Sequence, residues 1–110
     1  MRDYNLYLED IIESINKVMR YTKGLDYNGF ISKEILIDAV LRNLEIIGEA
    51  VKNIPQNIKE KYPNIEWNKI AGFRDIATHA YFGIDEEIVW DIIKNKLSEL
   101  KIEVEKIHNK

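Results

Sequence analysis

The 110-residue sequence contains no cysteine, only two prolines and only five glycines. Without cysteine the chain can form neither a disulfide nor a thiolate metal site. No stretch approaches the roughly 18 consecutive apolar residues of a membrane-spanning helix, and no basic segment followed by an apolar run marks a signal peptide. We therefore expect a cytoplasmic protein without a membrane partner.

Several binding motifs are also missing. The glycine-rich phosphate-binding patterns GxxxxGK[ST] and GxGxxG do not occur, and neither does the GxSxG nucleophile motif. The two histidines, His79 and His108, are widely separated in the sequence, so only carboxylates remain to complete a zinc site. The net charge of −3 argues against tight, non-specific binding of nucleic acid but leaves room for a small local basic site. We expect neither a metal nor a cofactor.

The composition, 45% hydrophobic and 32% charged, is that of a globular protein, and the length fits one domain spanning residues 1–110. Apolar residues recur at steps of three and four, which is typical of amphipathic helices. The predicted helices run from Asp3 to about Lys23, from an N-cap at Ser32 to Ile54, briefly within 55–61, from Trp67 to Ala80, and from a cap at Asp85 along an apolar stripe from Ile88 to Ile107. Residues 25–31 form a connector with a turn at Asn28-Gly29. The predicted fold is all-α: a single-domain, antiparallel, four- to five-helix up-and-down bundle.

The second long helix carries a glycine in its middle. A glycine there costs about 1 kcal/mol relative to alanine, so Gly48 predicts the close approach of another helix. Arg42, Glu45 and Glu49 form a polar row along the same helix. The roles of Glu45 and Glu49 stay open between a binding surface and a structural contact.

The helix predicted over residues 67–80 has two distinct faces. At about 100° per residue, and relative to Arg74, the polar side chains that follow it lie at about −20° (Tyr81), 40° (Thr78), 100° (Asp75) and 140° (His79). The apolar residues lie on the other side, from about 200° to 320°, and are Ile70, Phe73, Ile76, Ala77 and Ala80. A merely solvated face would more commonly carry lysine and glutamate, so the polar face predicts a functional site.

The chemistry of this face suits phosphodiester cleavage in RNA. Because RNA supplies its own nucleophile, the 2′-hydroxyl, a base that removes its proton is sufficient and no metal is required. His79 suits that step, and positioned acid–base groups contribute about 10²- to 10⁴-fold. Arg74 can bind the phosphate in a bidentate manner. Asp75, four residues before His79, is within reach to orient the imidazole.

One histidine on this face is few for a reaction that uses both a base and an acid. A symmetric homodimer that pairs the face with its own copy would supply two. An arginine followed five residues later by a histidine also arises by chance, so the pair alone is a weak motif. The alternative, from a different class, is a non-catalytic helical module that uses the face to bind a nucleotide or a protein.

The segment Arg74-Asp75-Ile76-Ala77-Thr78-His79 resembles the Arg–polar–x3–His signature of HEPN-domain ribonucleases. The similarity to the HepT-like branch is closer. Residues 42–50 resemble the second helix of that family, Trp67 and residues 70–74 lead into the signature, and residues 84–93 follow it as they do there. The resemblance spans nearly the whole chain and is most specific in these segments.

The resemblance implies a helical bundle that dimerises with two Arg–His faces in one cleft. It implies a metal-independent endoribonuclease that is the toxin of a type VII toxin–antitoxin pair and is inactivated by a minimal nucleotidyltransferase antitoxin. That antitoxin transfers AMP from ATP to the tyrosine two residues beyond the histidine, here Tyr81. By the same resemblance Arg74 and His79 are catalytic, and Asp75 is the polar residue of the signature, where many relatives carry asparagine. Thr78, which lies on the same helix face, is expected to be a supporting polar residue.

Overall fold

A computed structural model describes residues 3–109 of the chain. Its helices are α1 (Tyr4–Thr22), α2 (Tyr27–Ile31), α3 (Glu34–Lys52), α4 (Gln56–Lys61), α5 (Trp67–Ala71), α6 (Phe73–Tyr81), α7 (Glu86–Asp91) and α8 (Leu97–His108), and a π-helical segment, Ile92–Lys96, joins α7 to α8. No strand occurs among the described residues, so the prediction of an all-α fold is confirmed. None of the helices between residues 3 and 109 combines the length and the apolar character of a membrane span.

Helix α3 lies at the centre of the bundle. It packs against α1 on one side and against α5 and α6 on another, while α1 also packs against α8. Aliphatic side chains from all of these long helices are fully buried, among them Leu8, Ile15, Leu44, Ile47, Leu97 and Val104. Each such side chain contributes about 1.5–3 kcal/mol by leaving water. The helical-bundle prediction is therefore confirmed, and its core positions follow the three- and four-residue spacing of the sequence.

The first helix and the short fourth helix follow the predictions. Asp3 caps α1 by accepting a hydrogen bond from the backbone N–H of Asn5 at 3.0 Å, and α1 ends before Gly24, whose φ of +77° favours glycine. Helix α4 begins after Pro55 and is held by the indole of Trp67, which donates to the carbonyl oxygens of Lys59 and Tyr62 at 3.2 and 3.1 Å.

The predicted turn at Asn28-Gly29 is wrong, because this stretch forms the one-turn helix α2. The carboxylate of Asp26 accepts a hydrogen bond from the backbone N–H of Gly29 at 2.8 Å and thereby caps the helix. The helix in turn carries Phe30 into the core, where its ring stacks on Trp90 at 5.3 Å between centroids. The cap and the buried aromatic ring outweigh the turn preference of the Asn-Gly pair.

Ser32 does not cap α3, contrary to the prediction. Its hydroxyl donates to the carbonyl oxygen of Gly29 at 3.0 Å, so it closes α2 instead. Lys33 occupies the N-cap position of α3 and makes no capping side-chain hydrogen bond. The two helices are so close in sequence that one serine side chain can serve only one of them.

The single helix predicted over residues 67–80 is two helices, α5 and α6, which meet at Gly72. The junction lies directly against Gly48 of α3: a Cβ atom at Gly48 would be 3.0 Å from both the Ala71 carbonyl oxygen and the Arg74 backbone nitrogen. The predicted close approach to Gly48 is confirmed. The approaching segment is a helix junction, and the bend sets the direction of α6.

Substituting Gly48 by alanine is expected to lower the free energy of unfolding. In an exposed helix the change would stabilise by about 1 kcal/mol, but here the new methyl group meets two backbone atoms that cannot rotate away. Overpacking of this kind costs about 1–3 kcal/mol, so a net loss is expected. Urea denaturation of the two proteins measures it, and a Gly48→Ala variant more stable than wild type would contradict the contact.

The last predicted helix is interrupted by the π-helical segment Ile92–Lys96, in which the backbone N–H of Leu97 donates to the Ile92 carbonyl. In a regular α-helix, residues five apart point about 140° away from each other. The wider π turn keeps both Ile92 and Leu97 buried. Ile88, predicted to lie on the apolar stripe, is instead 45% exposed, whereas Val89, about 100° away around the same helix, is fully buried.

Candidate active site

Helix α6 shows the two faces that the sequence predicts. Phe73, Ala77 and Ala80 are buried against the bundle. The opposite side is open: the side chains of Arg74 and His79 are 53% and 60% exposed. Five polar residues of this nine-residue helix are exposed to solvent, which suits contact with a large ligand. They are Arg74, Asp75, Thr78, His79 and Tyr81.

Arg74 forms an ion pair with Glu49 of α3, with 2.7 Å between Nη1 and Oε1. This carboxylate oxygen is itself shielded from solvent and has no further polar partner among residues 3–109, so the guanidinium is what balances its charge. Glycine at position 48 lets the α5–α6 junction approach closely enough for the pair to form. The contact assigns Glu49, whose role the sequence left open, to the support of Arg74. Glu45 pairs instead with Arg42 on its own helix at 3.5 Å.

His79 contacts a carboxylate that was not predicted from the sequence. Its Nδ1 lies 3.2 Å from Oδ2 of Asp85. Asp75 was predicted to orient the imidazole from one turn earlier, and that prediction is wrong: Asp75 is exposed, and among the described residues neither a hydrogen bond nor an ion pair joins it to His79. The chain reverses direction after α6, which brings a more distant acid to the histidine. A contact across a turn leaves no periodic signal in the sequence.

The other two predicted residues differ in their freedom. Thr78 donates its hydroxyl proton to the carbonyl oxygen of Arg74 at 3.0 Å, within the helix. That hydroxyl therefore keeps only acceptor capacity for a ligand. Tyr81 is 69% exposed, and its ring packs edge-on against Phe82 at 5.4 Å between centroids. Tyr81 is therefore largely open to solvent.

Large apolar side chains stand exposed directly after His79. We call Tyr81, Phe82, Ile84 and Ile88 the apolar patch, and their exposed fractions are 69%, 72%, 55% and 45%. Exposed apolar surface of this kind next to polar residues is typical of an interaction surface. Sequence reasoning missed it because Ile88 fits a core stripe and Phe82 and Ile84 lie in a connection.

An apolar groove of about 440 Å³ lies on the opposite side of α6 from Arg74. Phe73, Ile76 and Ile92 contribute to its walls, and neither Arg74 nor His79 lines it. Between residues 3 and 109 no three histidine or carboxylate side chains come together in a way that could hold a metal ion. The arginine and the histidine singled out by the sequence therefore lie on the open face of α6 and not in this groove, whose rim carries lysine and glutamate side chains.

The chain is similar to known proteins along nearly its whole length. The family described as "Ribonuclease HepT-like" matches residues 11–107. Two proteins of Methanocaldococcus jannaschii, "Putative RNase MJ1380" and "Putative RNase MJ1216", are 46% and 45% identical over 94% and 96% of this chain and over 95% and 88% of their own lengths. "Probable ribonuclease HepT" of Thermococcus cleftensis is 41% identical over 96% of both chains. No match to a solved structure was found. The resemblance inferred from the sequence is confirmed, and the chain belongs to the HepT-like ribonuclease family.

Proposed function

We propose that this protein is a metal-independent endoribonuclease whose active site is the open face of α6, with Arg74 and His79 as its catalytic residues. The observation that carries the proposal is the pairing of both residues on one exposed face: the arginine with Glu49 at 2.7 Å and the histidine with Asp85 at 3.2 Å. Membership of a ribonuclease family supports RNA as the substrate.

The proposed reaction is an internal transfer at phosphorus. His79 takes the proton of the 2′-hydroxyl, the 2′-oxygen attacks the adjacent phosphorus, and the bond from phosphorus to the 5′-oxygen breaks. A protonated group gives the leaving 5′-oxygen a proton, so the products are a 2′,3′-cyclic phosphate and a 5′-hydroxyl. Arg74 neutralises the charge that develops on the non-bridging oxygens. The 2′-hydroxyl supplies the nucleophile, so the step needs no bound metal hydroxide.

We further propose that the working form is a homodimer with two such faces in one cleft. The reaction uses a base and an acid, and each chain offers one histidine on this face. The apolar patch, which begins two residues after His79, supports the same arrangement, because a partner subunit would remove these side chains from water. A cleft between two copies would also account for an active face that is open in the single chain.

The proposed biological role is that of the toxin in a toxin–antitoxin pair. Its partner would be a minimal nucleotidyltransferase that transfers AMP from ATP to Tyr81. The exposed phenol of Tyr81 supports this assignment, because the attacking oxygen needs free access to the α-phosphate of ATP. The bond formed joins the tyrosine oxygen to that phosphorus, and pyrophosphate leaves.

Incubating the purified chain with a defined RNA in the presence of EDTA tests the proposal. We expect fragments that end in a 2′,3′-cyclic phosphate and begin with a 5′-hydroxyl, identified by mass spectrometry. Light scattering of the same sample is expected to give twice the 13.0 kDa of one chain. The same RNA with its 2′-hydroxyl groups replaced by hydrogen is the matched control and should stay intact. Fragments with 5′-phosphate ends, or cleavage of the deoxy control, would refute the proposed reaction.

A further inference from the structure

We propose that Asp85 is a positioning residue for His79: its carboxylate holds the imidazole in the tautomer and orientation that a general base requires. The inference rests on the proposed ribonuclease function, in which His79 accepts the proton of the 2′-hydroxyl. Asp85 touches neither the RNA nor the reacting atoms in this account, and it acts only through the histidine.

The contact defines which ring nitrogen is free. His79 Nδ1 lies 3.2 Å from Asp85 Oδ2. Because an ionised carboxylate can only accept a hydrogen bond, this contact requires the proton of the neutral ring on Nδ1 and the lone pair on Nε2. Nε2 can then accept a proton from a substrate. Once it has done so, the carboxylate balances the charge of the imidazolium. The Asp85 side chain is 32% exposed against 60% for His79, so the acid lies on the protein side of the pair.

The turn that carries Asp85 is anchored on His79 itself. The carbonyl oxygen of His79 accepts hydrogen bonds from the backbone N–H groups of Phe82 and Ile84, at 3.1 and 3.0 Å. Gly83 between them has a φ of +79°, a conformation that favours glycine. The backbone of His79 thus holds the turn in place. Asp85, at the end of that turn, places its carboxylate against the side chain of His79.

The far side of Asp85 is anchored as well. Its carbonyl oxygen accepts hydrogen bonds from the backbone N–H groups of Ile88 and Val89, at 3.0 and 3.1 Å. Val89 is fully buried, and Trp90 beside it stacks on Phe30. Asp85 is therefore held between two elements that are themselves fixed, so its carboxylate has a defined place in front of the imidazole.

Two features of Asp85 have no explanation in the turn alone. Its φ is +64°, and it is the one non-glycine residue between 3 and 109 with a positive φ. Asp85 also occupies the N-cap position of α7, where aspartate normally accepts a hydrogen bond from the helix, yet its side chain makes no capping bond. A glycine would suit this backbone better. The carboxylate of Asp85 instead contacts the imidazole of His79, as its proposed positioning role requires.

The first test is nuclear magnetic resonance of the free protein. The ring nitrogens of a histidine report which of them carries the proton, and His108 is an internal reference because it pairs separately with Glu9 at 3.1 Å. We expect His79 to be protonated on Nδ1 in the neutral ring of the wild-type chain. In an Asp85→Gly variant this preference should disappear, while the signals of His108 stay in place.

The second test compares the RNA cleavage of two variants at one position. Glycine relieves the backbone conformation but removes the carboxylate, whereas asparagine tolerates the conformation and keeps one acceptor oxygen. We expect Asp85→Gly to lose about 10- to 100-fold in kcat, as is common for residues that orient a catalytic ligand. KM should change little, and Asp85→Asn should fall between glycine and wild type.

The outcomes separate the inference from the function it rests on. If Asp85 only shaped the turn, Asp85→Gly would keep the wild-type kcat and the wild-type tautomer of His79, and the proposal would be overturned. A changed tautomer together with a lower kcat supports it. A further outcome is that the wild-type protein cleaves no RNA while Asp85→Gly still changes the tautomer of His79. That result supports the positioning of His79 by Asp85 and overturns the proposed ribonuclease function instead.

Discussion

Replacing His79 by alanine is expected to slow RNA cleavage by about 10²- to 10⁴-fold, which is the usual contribution of a positioned acid–base group. The proposed reaction starts with the transfer of a proton to His79. Among the described residues, His79 is the side chain that Asp85 holds in place, so no second base is positioned to take over this step. Because the histidine is 60% exposed, its removal leaves no core cavity. Single-turnover cleavage of a labelled RNA measures the effect without interference from product release.

The chain provides a matched control in its second histidine. His108 lies at the end of α8, and its Nε2 contacts Glu9 Oε1 on α1 at 3.1 Å, so it is also a histidine paired with a carboxylate. The pair lies outside α6, and a His108→Ala variant should cleave RNA at close to the wild-type rate. Equal losses in the two variants would point to a general effect of charge or stability. Full activity in folded His79→Ala would exclude this residue as the base.

The face of α6 could be predicted from sequence because it follows from helical periodicity alone. Residues on one helix have fixed angular relations, so the separation of Arg74 and His79 from the core residue Ala77 needs no tertiary information. The same holds for Gly48, since a glycine in mid-helix is costly unless a neighbour needs the space. The structure confirms both features.

The partners of the two catalytic candidates could not be predicted in the same way. Glu49 reaches Arg74 from another helix, and Asp85 reaches His79 across a turn. These contacts depend on how α5 and α6 join at Gly72 and on where the chain goes after Gly83. Asp75 was the natural choice of partner for the histidine because it lies one helical turn away, but proximity within a helix is only one of several routes to a contact.

Two capping predictions were only partly right, because one side chain could serve two purposes. Asp85 was predicted to cap a helix, and it occupies the N-cap position of α7, but its carboxylate contacts His79 and makes no capping hydrogen bond. Ser32 was also predicted to be a cap, and its hydroxyl closes the preceding helix. Capping preferences state which residues favour a helix end. They do not state which competing acceptor or donor the fold will bring near, and that depends on tertiary structure.

Transfer of AMP to Tyr81 is expected to abolish RNA cleavage. Tyr81 follows Arg74 by seven residues, which places it about 20° from the arginine around the helix and about 10 Å further along the axis. Side chains of a helix lean towards its N-terminus, so a phosphate on the phenol of Tyr81 points back towards Arg74. Its charge can pair with the guanidinium, which is then no longer available to the RNA phosphate.

The test uses the chain together with the nucleotidyltransferase proposed as its partner, ATP and an RNA substrate. We expect intact-protein mass spectrometry to show the addition of AMP, with fragment ions that place it on Tyr81, and cleavage to fall in proportion to the modified fraction. A Tyr81→Phe variant lacks the accepting oxygen, so it should cleave RNA equally with and without the nucleotidyltransferase. Tyr21→Phe is the matched control, because Tyr21 lies on α1, is 37% exposed and keeps Tyr81 intact.

The same pair of variants distinguishes covalent control from simple binding. If the nucleotidyltransferase blocked the cleft by occupying it, inhibition would persist in Tyr81→Phe and would not depend on ATP. If the modification acts through Arg74, inhibition should survive removal of the partner protein and end when the AMP is removed. Tyr81 is 69% exposed on the same helix as Arg74, whose ion-pair partner is Glu49, and this exposure favours the second result. In that case the residue that binds the substrate phosphate in the active enzyme also binds the phosphate that inhibits it.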